Sequence, residues 1–103
     1  MNNTLQLQES ASRATTLLKS MSHTRRLLIL CVLIEKPGTS SGELSELTGL
    51  SPSATSQHLA KMKEDSVIES ERVAQSMHYF IKDEAVKKVI ATLKEIYCPE
   101  EFK

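Results

Sequence analysis

Two cysteines, Cys31 and Cys98, are the side chains of this chain best suited to covalent chemistry. They stand 67 positions apart, so they do not form the Cys-x-x-Cys motif that a dithiol oxidoreductase normally carries. The sequence also has no His-Glu-x-x-His motif, no Gly-rich phosphate loop and no Gly-x-Ser-x-Gly motif. We therefore predict that the protein is not an enzyme.

The residue types alone leave the role of the two cysteines open. Cys31 lies in an apolar run, LLILCVLI, and a free cysteine there is often a small buried hydrophobic residue. Cys98 lies at a predicted helix C terminus, where the helix dipole disfavours a thiolate unless a cation such as Lys94 offsets it. The alternative is that the two thiols face each other and act as a sensor.

The polar N terminus, MNNTLQLQES, does not have the pattern of a secretory signal, so we expect a cytoplasmic protein. In that compartment a permanent structural disulfide is not expected. The apolar run around Cys31 is too short to span a bilayer, which argues against a membrane partner.

A helix-turn-helix is predicted at about residues 41–64, as two helices at about 41–48 and 52–64. Ser40 can cap the first helix, and Gly49 can end it because glycine readily adopts the left-handed conformation. Ser51 can cap the second helix, with Pro52 at its first position. A glycine-containing turn between two short helices is typical of DNA-binding proteins.

The second of these helices should have two different faces. Thr55, Leu59 and Met62 recur at helical spacing and should pack inward. The opposite face is small and polar, so it can enter the major groove; the alternative is an ordinary solvated surface. The residues predicted to contact DNA from this helix and its cap are Ser51, Ser53, Ser56, Gln57, His58 and Lys61. His58 can instead pack against the preceding helix.

The remaining elements predict a single domain, residues 1–103, that is mainly α with a two-stranded β wing. Helices are expected at about 5–20, 23–35 and 84–97, the second capped by Ser22 and the last by Asp83. Alternating residues at about 67–82 predict a hairpin with a turn at Ala74-Gln75. Arg72 and Gln75 would lie near its tip and contact phosphates or the minor groove. This order of elements is a winged helix-turn-helix.

The charge balance is neutral, with 13 basic and 13 acidic residues. A strongly cationic DNA binder is therefore not expected, and we predict a modest, salt-sensitive affinity. A small domain with a thin aliphatic core is often stabilised by forming a dimer.

From Ala14 to Pro99 the chain resembles the ArsR/SmtB family of bacterial repressors, in LLKSMSHTRRLLILCVL, GELSELTGLSPSATSQHLAKMK and MHYFI. The resemblance implies a homodimer joined through the first and last helices, at about 5–20 and 84–97. It also implies binding to double-stranded operator DNA and repression that an inducer relieves.

Many members of that family sense metals through cysteines in the third helix or Asp and His pairs on the last helix. Here these regions read TSSGELSEL and DEAVKKVIATLKEIYC, with neither cysteine nor histidine at those places apart from Cys98. The three histidines, His23, His58 and His78, are scattered over separate elements. No metal site is therefore expected.

Cys31 and Cys98 are instead similar to the cysteine pair of the persulfide- and redox-sensing branch of the family. In that branch reactive sulfur species act as the inducer: a disulfide or polysulfide links the two cysteines and DNA affinity falls. The resemblance implies control of sulfide or persulfide detoxification genes. A general redox regulator, a haem-responsive regulator that uses Cys98-Pro99, and an anti-repressor of virulence genes remain alternatives of the same fold. We expect no cofactor, and haem is the single alternative.

Overall fold

The computed structural model describes residues 3–99, which form five α-helices and three β-strands. In chain order these are α1 Asn3–Met21, α2 Thr24–Glu35, β1 Thr39–Ser40, α3 Ser41–Thr48, α4 Pro52–Glu64, β2 Ile68–Val73, β3 Ser76–Ile81 and α5 Glu84–Tyr97. The predicted winged helix-turn-helix is confirmed, with the helices of the motif at the predicted positions.

The sheet is antiparallel with the strand order β1-β3-β2, so it has one strand more than predicted. β1 is only two residues long, and Thr39 pairs with Tyr79 of β3. The Gly38 N–H donates to the Tyr79 carbonyl at 2.8 Å, which brings the chain onto the sheet edge. A segment this short carries no alternating pattern, so its sequence did not predict a strand.

Most helix starts follow local capping rules. The hydroxyls of Ser40 and Ser51 accept the N–H groups of Glu43 and Ala54, and Asp83 accepts two N–H groups at the start of α5. The predicted cap of α2 at Ser22 is wrong by one residue. His23 has extended backbone angles, and its Nδ1 accepts the N–H of Arg25 at 3.2 Å.

The core is aliphatic and centres on α2. Ile29, Leu30 and Leu33 are almost completely buried, whereas Leu28 on the same helix stays 44% exposed. One side of α2 is therefore exposed, although the run from Leu27 to Ile34 is apolar throughout. The other core side chains come from α1, from α3 and the turn after it, and from α4, the sheet region and α5: Met21, Leu44, Leu50, Leu59, Met62, Val67, Ile68, Ile81, Val86 and Ile90.

The apolar stripe of α5 divides between two environments. Val86 and Ile90 are fully buried in the core, but Ile96 and Tyr97 are 61% and 77% exposed. No helix within residues 3–99 is long and apolar enough to cross a membrane.

Candidate nucleic-acid interface and cysteine pair

The turn between α3 and α4 is held by side-chain hydrogen bonds inside the motif. Gly49 adopts the left-handed conformation, with φ of 76°, and ends α3 as predicted. The hydroxyl of Ser45 donates to the Leu50 carbonyl at 2.6 Å, and the Leu50 N–H donates to Thr48 Oγ1 at 3.4 Å. These bonds fix the direction in which α4 leaves α3.

The two faces of α4 lie as the spacing predicted. Thr55, Leu59 and Met62 are buried against the domain. The exposed face consists of Ser53, Ser56, Gln57 and Ala60. Ser51 is also exposed. Its hydroxyl accepts the N–H of Ala54 at 3.1 Å and thereby caps the helix. This small, hydrogen-bonding surface is suited in size and chemistry to the major groove.

His58 lies between α4 and the start of α2. Arg26 Nε donates to His58 Nδ1 at 3.3 Å, and the His23 ring packs edge-on with a centroid separation of 4.7 Å. Burial, and then the positive charges of His23, Arg26 and Arg25, lower the pKa of His58 below 6.5. The internal neighbour of His58 is therefore α2 rather than α3. A contact of His58 with DNA stays a prediction.

Lys61 lies at the C-terminal half of α4 among carboxylates. Its ammonium is 3.4 Å from Asp65 and 3.5 Å from Glu64, and the charge of Asp65 is the main cause that raises its pKa. All three side chains are accessible to solvent. A phosphate contact by Lys61 would exchange these weak surface pairs for a stronger anion.

The wing presents Arg72 and Gln75 at the tip of the hairpin. Val73 pairs with Ser76, which leaves Ala74 and Gln75 as a two-residue turn, and Ala74 has a φ of 56°. Arg72 and Gln75 are exposed. Their predicted positions relative to the turn thus agree with the structure, and their contact with DNA remains a prediction.

Cys31 and Cys98 belong to two helices that pack against each other. Cys31 is half-buried in the middle of α2, where it packs against the core. Cys98 is half-buried at the C-terminal cap of α5, and its N–H donates to the Lys94 carbonyl at 2.7 Å. Both are thiols rather than members of a disulfide. The two thiols therefore belong to neighbouring elements of the fold, since α2 and α5 are in contact.

A partly buried ion pair, which we call the Glu35–Lys94 pair, joins α2 to α5. Lys94 Nζ lies 2.5 Å from Glu35 Oε2, with a side-chain exposure of 4% for Lys94 and 50% for Glu35. Glu35 follows Cys31 by four residues, and Lys94 precedes Cys98 by four. The sequence did not single out Glu35. For Lys94, its position four residues after Ile90 indicates that it lies on the inward face of α5.

Within residues 3–99 no three His, Cys, Asp or Glu side chains are placed to hold a metal ion. His78 is bonded through Nδ1 to the Gly38 carbonyl at 2.7 Å, away from the His23–His58 contact. The expectation that neither metal nor haem is required stays a prediction.

Comparison with known proteins places this geometry in a family. Residues 23–70 match the model of "Bacterial regulatory protein, arsR family". The chain is 60% identical to the HTH-type transcriptional regulator YgaV of Escherichia coli, over 96% of this chain and all of that one. It is 38% identical to the transcriptional activator HlyU of Vibrio cholerae, over 93% of this chain and 88% of HlyU.

A solved structure is similar along most of the chain. The crystal structure of a predicted DNA-binding transcriptional regulator from E. coli superposes with a TM-score of 0.88 at 60% identity, over 91% of this chain and 99% of that one. These matches are to regulators and not to enzymes, in agreement with the prediction made from the missing catalytic motifs.

Proposed function

Because this chain belongs to the arsR family of bacterial regulatory proteins, we propose that it is a dimeric repressor whose DNA binding is relieved by reactive sulfur. It is a transcriptional regulator of that family; the DNA contacts, the dimer and the inducer are the proposal. The observation that carries it is the position of α2, which bears Cys31 and also contacts the recognition helix α4 through His23 and Arg26.

The DNA-binding part of the proposal rests on the exposed face of α4 and on the wing. Gln57 and the serines of that face can bond base edges, while Arg72 and Lys61 suit phosphates. With a net charge of zero, the expected affinity is modest and salt-sensitive. In a dimer the two α4 helices should lie roughly 34 Å apart, one turn of DNA.

The switch follows from the connectivity of α2. A covalent link between Cys31 on α2 and Cys98 at the end of α5 would pull on α2. The first turn of α2 holds His58 of α4 through Arg26, so a shift of α2 moves or releases the recognition helix. Because dimeric DNA binding requires both helices in register with the groove, a small displacement costs much affinity.

The length of the link can provide selectivity for the inducer. A direct disulfide needs Cα atoms about 4.4–6.8 Å apart. One or two inserted sulfur atoms would bridge a longer gap, which peroxide alone cannot do. The proposed target genes are those of sulfide or persulfide detoxification. The proposed location of the protein is the cytoplasm.

The test combines mass spectrometry with DNA binding. The probe is a duplex selected from a random pool by the reduced protein, and the protein is then treated with a persulfide donor or with peroxide. We expect one or more added sulfur atoms joining Cys31 to Cys98, and at least a tenfold loss of affinity. The variants Cys31→Ser and Cys98→Ser should keep DNA binding and lose the response.

A plain disulfide formed equally by peroxide would replace the sulfur-specific sensor by a general redox switch. DNA release without any bridge would overturn the cysteine mechanism and make haem titration the next experiment.

A second function is favoured by the HlyU relative, which is named as a transcriptional activator. A protein of this fold can raise transcription by displacing another repressor from the same DNA. Transcription from a purified template in the presence of RNA polymerase separates the two, since a direct repressor lowers the transcript without any competing regulator.

A further inference from the structure

The Glu35–Lys94 pair is chemically unusual for so small a domain. Lysine is almost never fully buried unless its charge is paired. Lys94 is only 4% exposed to solvent. Its partner Glu35 lies at the last position of α2, and its side chain remains half exposed to water. The two charges therefore lie in different environments.

From that difference we expect a net positive potential on the inner side of the helix pair. The charge of Glu35 is screened by solvent, whereas the charge of Lys94 acts through the less polar interior, where an interaction over the same distance is several times stronger. The neighbouring charged residues Lys36 and Glu95 are exposed, and Lys36 is additionally paired with Glu43 at 3.6 Å. Among these side chains Lys94 is the buried cation.

Both thiols lie within one helical turn of this cation or of its partner. Residues four apart on a helix share a face and lie about 5–6 Å apart. Cys31 has this relation to Glu35, and Cys98 has it to Lys94. A cation near a cysteine favours the thiolate, which is the nucleophilic form.

We propose that Lys94 is the positioning residue of the thiol switch: its buried ammonium stabilises a thiolate at the cysteine pair, and Glu35 moderates that effect. This inference rests on the proposed function for its biological role, but the reactivity of the thiols can be measured independently. Lys94 also offsets the unfavourable dipole at the C terminus of α5.

The chemistry that this thiolate performs with a persulfide is balanced. One cysteine thiolate attacks the outer sulfur of RS–SH, its S–S bond breaks, and RS⁻ leaves while the cysteine becomes a persulfide. The second thiolate attacks the cysteine-bound sulfur of that persulfide, forms the disulfide and releases HS⁻. If a second RS–SH first extends the chain by one sulfur, attack on the middle sulfur gives a trisulfide and again HS⁻. The two thiols are oxidised and the persulfide sulfur is reduced.

The test compares substitutions with opposite expected signs. Lys94→Met removes the cation at similar side-chain length and should slow alkylation of the more reactive thiol by iodoacetamide at pH 7 by about tenfold, as for a tenfold smaller thiolate fraction. Glu35→Gln leaves the cation without its counter-charge and should accelerate the same reaction severalfold. Lys94→Arg should keep a near-normal rate, and Lys88→Met, at an exposed lysine of α5, is the matched control.

A purely structural clamp predicts a different pattern. If both Lys94→Met and Glu35→Gln accelerate alkylation, the pair only holds the helices together and the proposal is wrong. Unchanged rates in both variants also overturn it. Should Lys94→Met not fold, the pH profile of alkylation in Glu35→Gln decides. The proposal expects the half-maximal rate at a lower pH with an unchanged maximal rate, and a higher maximal rate, as a loosened helix pair would give, overturns it.

The same proteins separate this inference from the proposed function. If Cys31→Ser still releases DNA with a persulfide donor, the sensor mechanism fails whatever the alkylation rates are. If that variant loses its response but the alkylation rate does not change when Lys94 or Glu35 is substituted, only the proposed role of the Glu35–Lys94 pair is wrong.

Discussion

His58 is the residue at which the recognition helix meets the rest of the domain. Its ring accepts a hydrogen bond from Arg26, packs on His23 and is surrounded by cationic groups. A protonated imidazole has no acceptor for Arg26 and would repel it. The neutral form is therefore the one that joins α4 to α2.

This arrangement predicts a loss of stability in mild acid. Since folding lowers the pKa of His58, the unfolded chain binds a proton more readily than the folded one. The stabilising contribution is fully present above pH 6.5 and is lost as the pH falls through the lower, folded-state pKa. Thermal unfolding between pH 7.5 and 5 should show a smaller decrease of Tm for His58→Gln than for the natural protein. An equal decrease would assign the acid sensitivity to other groups.

At the scale of elements, the turn between α3 and α4 decides how the recognition helix is presented. Gly49 and Gly42 belong to the same motif but differ in backbone conformation. Gly49 has a φ of 76°, whereas Gly42 lies within α3 without a positive φ. An added Cβ would meet nothing within 4 Å at either glycine. The two positions therefore differ in backbone strain rather than in packing.

Alanine at each glycine should change stability in opposite directions. Gly49→Ala forces a side chain into the left-handed region and should lower the free energy of unfolding by about 1–2 kcal/mol. Gly42→Ala should raise it by about 0.5–1 kcal/mol, because alanine loses less backbone entropy in a helix. Urea unfolding of both variants measures this. Destabilisation by Gly42→Ala would indicate a role for Gly42 that helix propensity does not include.

The whole molecule has exposed apolar side chains at the helices proposed to form the dimer. These are Leu5, Leu7 and Leu18 on α1, with Ile96 and Tyr97 at the end of α5. Burial of such residues against a second copy contributes about 25 cal/mol per Å² of apolar surface. In a twofold dimer both subunits use the same surface, so each of these residues contributes buried area from each subunit.

Two leucines with the same exposure provide the test of this interface. Leu18 on α1 and Leu47 on α3 are both 51% exposed. Leu18→Asp should weaken the dimer by at least about tenfold in Kd, the equivalent of 1.4 kcal/mol, whereas Leu47→Asp should leave it unchanged. Sedimentation equilibrium measures both. A dimer that is weakened only by Leu47→Asp would place the interface on the helix-turn-helix instead.

Local sequence was sufficient to predict the elements whose ends depend on near neighbours. The caps at Ser51 and Asp83, the stop at Gly49 and the inward face of Thr55, Leu59 and Met62 were predictable, because capping and helical periodicity act within about four residues. The cap of α2 at His23 was not predictable in this way, because histidine is not among the residues preferred at helix N-caps.

The contacts that join distant elements depend on how the helices and the sheet pack together. The pairing of Thr39 with Tyr79, the hydrogen bond from Arg26 to His58 and the ion pair between Glu35 and Lys94 connect residues 32 to 59 positions apart. No local pattern specifies such partners, because they depend on how α2 packs against α4, α5 and the sheet. The cysteines were visible in the sequence, but the pairing of Lys94 with Glu35 follows from the packing of α2 on α5.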